Sequence, residues 1–267
     1  MGNVMIKRCL IYFASVISLT VTSCSSESEE EAEKQPVTAN EPEVLMDSLV
    51  IETETLKKEF YWPKLLLTDT TPVTRRIEKL LEFSEITGFT IEQVDSQYNA
   101  CECGLVGTDF SVNYNSHGIL DIAFQLVNYY SEEEYDVQFL TIDLHKGKVL
   151  KIEDLLLDTT FKSLAELCTI KVNEAVRVAL KEYKKSDEYE EAMESFFGKY
   201  SFKQANLESF SISKNQIVFT YDYAFPVYME FYTPDKTISV SFEELKPFVR
   251  PDGMLGFLIS KNEGAIN

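Results

Sequence analysis

The side chains with the most chemistry in them are two histidines, a few acids on alternating segments, three cysteines beyond residue 24 and a late run of tyrosines. His117 sits in Asn115-Ser116-His117-Gly118 and His145 in His145-Lys146-Gly147-Lys148, both between alternating apolar segments. Polar residues are ordinary in such turns, and no second histidine or acid cluster converges on either by sequence. Asp121 with Asp143 is the acid pair one would nominate for glycan cleavage. Each falls in a hairpin pattern and is expected to face solvent. In "YDYAFPVYMEFYTPDK", residues 221–236, Pro226 interrupts a strand and Val227, Met229 and Phe231 alternate with Tyr228, Glu230 and Tyr232. That alternation describes a half-buried segment, leaving Tyr223, Tyr228 and Tyr232 as candidate ligand-binding side chains.

Cys101, Cys103 and Cys168 carry the remaining chemistry. If "ACECG" is extended, Cys101 and Cys103 point the same way, and so small a ring strains disulfide geometry. A bridge from one of them to Cys168 is the easier expectation. Their spacing matches no common zinc pattern and no histidine is near in sequence, so neither a metal nor a cofactor is expected.

What positions these residues begins with an address. "MGNVMIKRCLIYFASVISLTVTSC" places Lys7 and Arg8 before an apolar run from Cys9 to about Val21, with small residues ahead of Cys24. The run is short of the roughly 20 residues a spanning helix needs, so residues 1–23 read as a cleaved signal. Val21-Thr22-Ser23-Cys24 resembles the lipobox of bacterial lipoproteins, which implies that Cys24 is lipidated and becomes the mature N-terminus. Acyl chains gain about 0.8 kcal/mol per buried CH₂, so two or three hold a protein on a bilayer almost permanently. Ser25 resembles outer-membrane routing rather than inner, and the acidic run after it resembles surface-presentation signals of some Gram-negative groups.

Residues 24–55 read as a tether: five glutamates lie between Glu27 and Glu33, with prolines at 36 and 42. Removing residues 1–23 leaves 23 basic against 44 acidic residues, a net of −21. Nucleic acid is excluded as a natural partner by that sign, whereas cations and basic proteins are attracted.

The body, 56–260, reads as an α+β domain, mainly an antiparallel sheet of hairpins with one long and one or two short helices packed on it. Its two halves would be 56–106 and 107–250, with a tail at 261–267. Thr70 or Thr71 caps a helix opened by Pro72, with Val73, Ile77, Leu80 and Leu81 on one face. "FTIEQVDSQYN" alternates as a strand. "TDFSVNYNSHGILDIAFQLVNYY" and "YDVQFLTIDLHKGKVLKIEDLL" are hairpins. The long helix carries Phe161, Leu164, Cys168, Val172, Ala175, Ala179 and Tyr183 at intervals of three and four. A shorter helix is expected from Ser186 to Gly198. Strands return in "SFSISKNQIVFTYDY" and "KTISVSFEEL".

This order is similar to the extracytoplasmic domain family found in the lysozyme-sensing anti-sigma factor RsiV and beside the catalytic domain of the peptidoglycan deacetylase PdaC. The residues that carry the similarity, from about Phe60 to Val249, are "YWPKL", "FSVNYNSHGILDIAF", "FLTIDLHKGKVLKIEDLL" and "FSISKNQIVFTYDY" followed by "TISVSFEELKPFV". Two places depart from the family: "YYSEEEYD" stands where members often have a Gly-Gly-Ala-His-like run, and Met229 and Phe231 replace small residues. The resemblance implies a noncatalytic envelope module that binds a protein, cationic and lysozyme-like, or a cell-wall glycan. The alternatives are a cell-wall hydrolase or deacetylase, or its accessory subunit, and a structural component of an envelope assembly.

Overall fold

The computed structural model describes residues 41–52, 57–67, 69–101, 103–130, 132–183, 200–223 and 233–264. The fold is α+β, as expected. A six-stranded mixed sheet runs in the order β1 (Glu43–Glu52), β2 (Lys57–Leu66), β3 (Gly104–Ser116), β4 (Ile119–Tyr129), β5 (Glu133–Asp143) and β6 (Lys148–Val149). A second, three-stranded antiparallel sheet holds β7 (Phe210–Ile212), β8 (Gln216–Thr220) and β9 (Thr237–Ser241). All neighbours in the large sheet are antiparallel except β2 and β3, which meet in parallel with Phe60 opposite Thr108.

Three helices connect those two parallel strands: α1 (Pro72–Leu80), α2 (Phe83–Thr87) and α3 (Ile91–Cys101). Thr71 caps α1 through its Oγ1, which accepts the Thr74 N–H at 3.2 Å, and Pro72 follows at the first position. The stretch expected as a strand, 89–99, is mostly α3. Thr90 and Gln93 form a reciprocal cap: Gln93 N–H donates to Thr90 Oγ1 at 3.3 Å and Thr90 N–H to Gln93 Oε1 at 2.7 Å. That device fixes the first turn, and the alternation of Phe89 with Ile91 is incidental to it.

Residues 43–52, expected within the tether, are β1 and pair with β2 from Glu43 opposite Leu66 to Glu52 opposite Lys57. Leu49 and Ile51 bury against the core, which gives an acid-rich segment a reason to fold.

The β3–β4 turn is the two residues His117 and Gly118, both with positive φ (54° and 76°), the geometry that matches the twist of paired strands. At the next tip, Asp143 Oδ1 accepts the N–H groups of His145 and Lys146 at 2.9 and 3.0 Å, and Gly147 turns the chain at φ 60°. Both histidines therefore lie at hairpin tips. Leu144 N–H donates to Gly118 C=O at 2.8 Å, so the two tips are bonded to each other.

Helices α4 (Ile152–Leu155), α5 (Phe161–Tyr183), α6 (Phe242–Leu245) and α7 (Met254–Gly264) complete the described α-helices. The 23-residue α5 buries Leu164, Cys168, Val172 and Val176 completely. These positions recur every four residues, so the stripe drifts gently around the helix as it crosses the small sheet. Each such side chain contributes about 1.5–3 kcal/mol of transfer free energy. Helix α7 continues through Gly264, into the expected tail.

Two core clusters result. One packs α1–α3 on the large sheet around Phe60, Leu81, Phe83 and Phe124. The other packs α5 and the small sheet around Leu164, Val172, Phe219 and Val240. Strand β4 serves both, since Leu120, Ile122 and Phe124 enter the first and Ile119 the second. Strand β3 spans residues 106–107, where two halves were expected to meet, with a register shift against β4 between Leu105 and Gly107.

Candidate functional site

Tyr223, nominated as a ligand-binding side chain, is 1 % exposed. Its ring makes edge contacts with Tyr200 at 5.6 Å and Tyr221 at 5.0 Å, and burial pushes its phenol up to about 12. It is a core residue, placed there because β8 carries its alternation on through Tyr221 and Tyr223. Tyr228, Tyr232, the helix expected at 186–198 and Cys24 lie outside the described residues.

The expected bridge to Cys168 is not formed. Cys101 is bonded to Cys103, with Cα atoms 5.1 Å apart. The segment is not extended: Cys101 ends α3, and its Cα lies closer to that of Cys103 than a strand would place it. Two residues of extended strand would hold the Cα atoms about 6.6 Å apart, toward the far limit of disulfide geometry. Cys168 is a free thiol in the α5 core, pushed up to about 12 by burial.

The two acids expected to face solvent are both buried, Asp121 at 0 % and Asp143 at 1 % exposure. Asp121 Oδ2 accepts Thr141 Oγ1–H at 2.5 Å and the backbone N–H of Ile212 at 2.9 Å. Its Oδ1 accepts the Ser211 hydroxyl and Asn113 Nδ2–H, the latter at 3.2 Å. Burial outweighs these four donors and holds the carboxyl above the usual aspartate range. Asp143 is taken up by the β5–β6 turn. The pair that glycan cleavage would need is thus committed to joining strands. Among the described residues, no three His, Cys, Asp or Glu side chains gather as a metal site.

Three concavities among the described residues bear on the site. The first, about 770 Å³, follows the outer face of α5 and is lined by Ile170 and Val178, at 68 % and 51 % exposure. Lys171 spans it to Glu244 at 2.8 Å and holds that carboxyl below its usual range. A second, of about 240 Å³, is lined by Lys146, Lys148 and Arg250, but each cation is already paired, with Asp143 at 3.3 Å, Asp154 at 2.8 Å and Asp158 at 2.8 Å respectively.

The third, about 210 Å³, lies between β1, β2 and α1. Trp62, the chain's one tryptophan, lines it with Pro63 and Leu65, together with Lys64 and the acids Asp47, Glu78 and Glu82. The indole rests edge-on against Phe83 at 5.2 Å, which fixes its plane. Among the described residues none of these three carboxylates is in an ion pair. Three carboxylates against one lysine leave an excess of negative charge beside the aromatic face, which suits a further cationic side chain, and a cation over the ring contributes about 0.5–2 kcal/mol. The sequence signal existed in "YWPKL" and in Glu78 and Glu82 one turn apart, but β1, which supplies Asp47, was not recognised as a strand.

No family model matches the chain, and no curated protein matches it in sequence. Solved structures do. A DUF3298 family member from Bacteroides fragilis superposes with a TM-score of 0.53 at 17% identity, covering 83% of this chain and 99% of that one. A DUF3298 family protein from Pseudomonas aeruginosa superposes with a TM-score of 0.51 at 13% identity, covering 80% and 95%. At these identities the likeness is one of fold. Among the described residues no helix is long and apolar enough to cross a membrane.

Proposed function

We propose that this chain is a noncatalytic envelope lipoprotein, anchored through acylated Cys24, whose α+β domain binds a cationic protein. The observation that carries the reading is the Trp62 cleft, where Asp47, Glu78 and Glu82 outnumber the single cation Lys64 beside an aromatic ring and none of the three is in an ion pair among the described residues. Such a site recognises a lysine or arginine side chain. The net charge of −21 beyond residue 23 adds long-range attraction for a basic partner. The similarity to the lysozyme-sensing family supports the same class of partner, and the small residues ahead of Cys24 support the anchor.

Retention on immobilised hen-type lysozyme tests it. The protein should be held at low salt and released as ionic strength rises, with Glu78→Gln/Glu82→Gln released earlier. Passage of micromolar protein through the column at low salt would remove the cationic-partner reading.

A further inference from the structure

We infer that the free edge of β5 accepts a basic, extended segment of a partner protein as a seventh strand of the large sheet. The inference deepens the proposed function and rests on its cationic partner. Strand β5 pairs with β4 along its whole length, from Glu133 opposite Tyr129 to Asp143 opposite Ile119, with no register shift. On its other side β6 reaches only Ile142 and Asp143. The eight residues from Glu133 to Leu140 are therefore without a second strand partner, on the side away from β4, among the described residues, and the first six are exposed. In an antiparallel ladder every second residue turns its N–H and C=O away from the existing neighbour, so this edge offers a regular row of unpaired donors and acceptors.

Proteins guard such edges with prolines, bulges, charged side chains or a covering element. Between Glu133 and Leu140 there is no proline and no bulge, and among the described residues no strand covers the edge, so charge is the guard. What stands there is acid: Glu132, Glu133, Glu134 and Asp136, with no base before His145. Like charge opposes pairing with a second copy at contact distances well inside the Debye length, and attracts a basic strand by the same interaction.

The two faces of the edge also differ. Tyr135, Val137 and Phe139 lie on one face, opposite Val127, Gln125 and Ala123, while Glu134, Asp136 and Gln138 lie on the other. Tyr135 and Val137 are 59 % and 46 % exposed, an apolar row that an edge serving only to repel would not present. Tyr135 is pinned by its phenol, which donates to Glu133 at 2.6 Å. An incoming strand that alternates basic with apolar residues matches both rows: main-chain bonds give affinity and the alternation gives register.

The test uses the full chain and a fluorescein-labelled peptide in which lysine alternates with valine and threonine. Anisotropy should show saturable binding at least tenfold tighter than for the same peptide with glutamate in place of lysine. N-methylation of alternate residues should abolish binding when it falls on one edge of the peptide and leave it when it falls on the other. The variant Glu134→Lys/Asp136→Lys, checked for fold by circular dichroism, should reverse the charge preference. Equal binding of both N-methylated peptides would reduce the interaction to charge attraction and overturn strand addition, as would absence of binding. A wild-type dimer in sedimentation, altered by Asp136→Lys, would assign the edge to a second copy and overturn it too. Lysozyme retention without peptide binding would leave the cationic partner and remove the edge. Peptide binding without lysozyme retention would leave the edge and remove a lysozyme-type partner.

Discussion

The carboxylate of Asp121, on β4, accepts the backbone N–H of Ile212, on β7, at 2.9 Å. A side chain of one sheet thus closes the edge of the other, and Ser211 and Thr141 complete the joint from either side. The two core clusters are held in register by this contact as well as by apolar packing.

Asp121→Ala should lower unfolding free energy by about 2–4 kcal/mol in urea titration, because several buried donors lose their acceptor. Asp121→Asn keeps the shape and removes the titration. The folded-state carboxyl lies above its unfolded value, so protons favour the folded form. This group's contribution is therefore greatest below the ordinary carboxylate value, about 3.9, and declines as pH rises through the folded one. The stability gap between wild type and Asp121→Asn should narrow as pH rises from about 4. A gap that widens over that range would contradict the burial-driven shift.

The two hairpin glycines should differ on substitution. A Cβ at Gly147 would lie 2.8 Å from the backbone oxygen of Val73, whereas one at Gly118 would meet the His145 imidazole, which is exposed and swings aside. Both carry the left-handed penalty of about 1–2 kcal/mol. Gly147→Ala should accordingly lose about 2–3 kcal/mol, displacing α1 and its Arg76 bond to Lys146 C=O, and Gly118→Ala about 1–2 kcal/mol, by urea midpoint.

Iodoacetamide should leave the Cys168 peptide unmodified in native protein and modify it on unfolding, with the Cys101–Cys103 peptide protected until a reductant is added. The ring closed by that disulfide is so small that reduction should lower stability by only about 1–2 kcal/mol. Mass mapping of the two peptides reads both outcomes.

Cys24→Ala should move the protein from the membrane pellet to the soluble fraction and abolish incorporation of labelled palmitate. Membrane retention of that variant would locate the anchor elsewhere.

What could be read in advance divides by the range of the interaction that decides it. The tips at His117-Gly118 and Lys146-Gly147, the Thr71-Pro72 helix start and the α5 stripe are set by neighbours within a turn or two, so spacing reveals them. Helix α3 was legible too, through Thr90 and Gln93, yet apolar alternation pointed the other way. Asp121 was not legible, because its acceptors are claimed by Ser211 and Ile212 some ninety residues later. Tyr223 misled for a related reason: whether a tyrosine faces water depends on Tyr200 and Tyr221 closing over it. The Trp62 cleft needed β1, whose acids disguise a strand as linker.

Incorporation of β1 also sets the pole of the sheet at which the described chain begins. The chain enters beside the β3–β4 turn, where Asn115 Nδ2–H donates to Pro42 C=O and Ser116 Oγ–H to Glu41. Strand β5 starts at the opposite pole of the sheet, a strand length or about 35 Å away. An anchor at Cys24, as proposed above, would therefore pull on this pole and leave the other outermost. There the Glu133 end of the open edge would be the part that an approaching molecule reaches first.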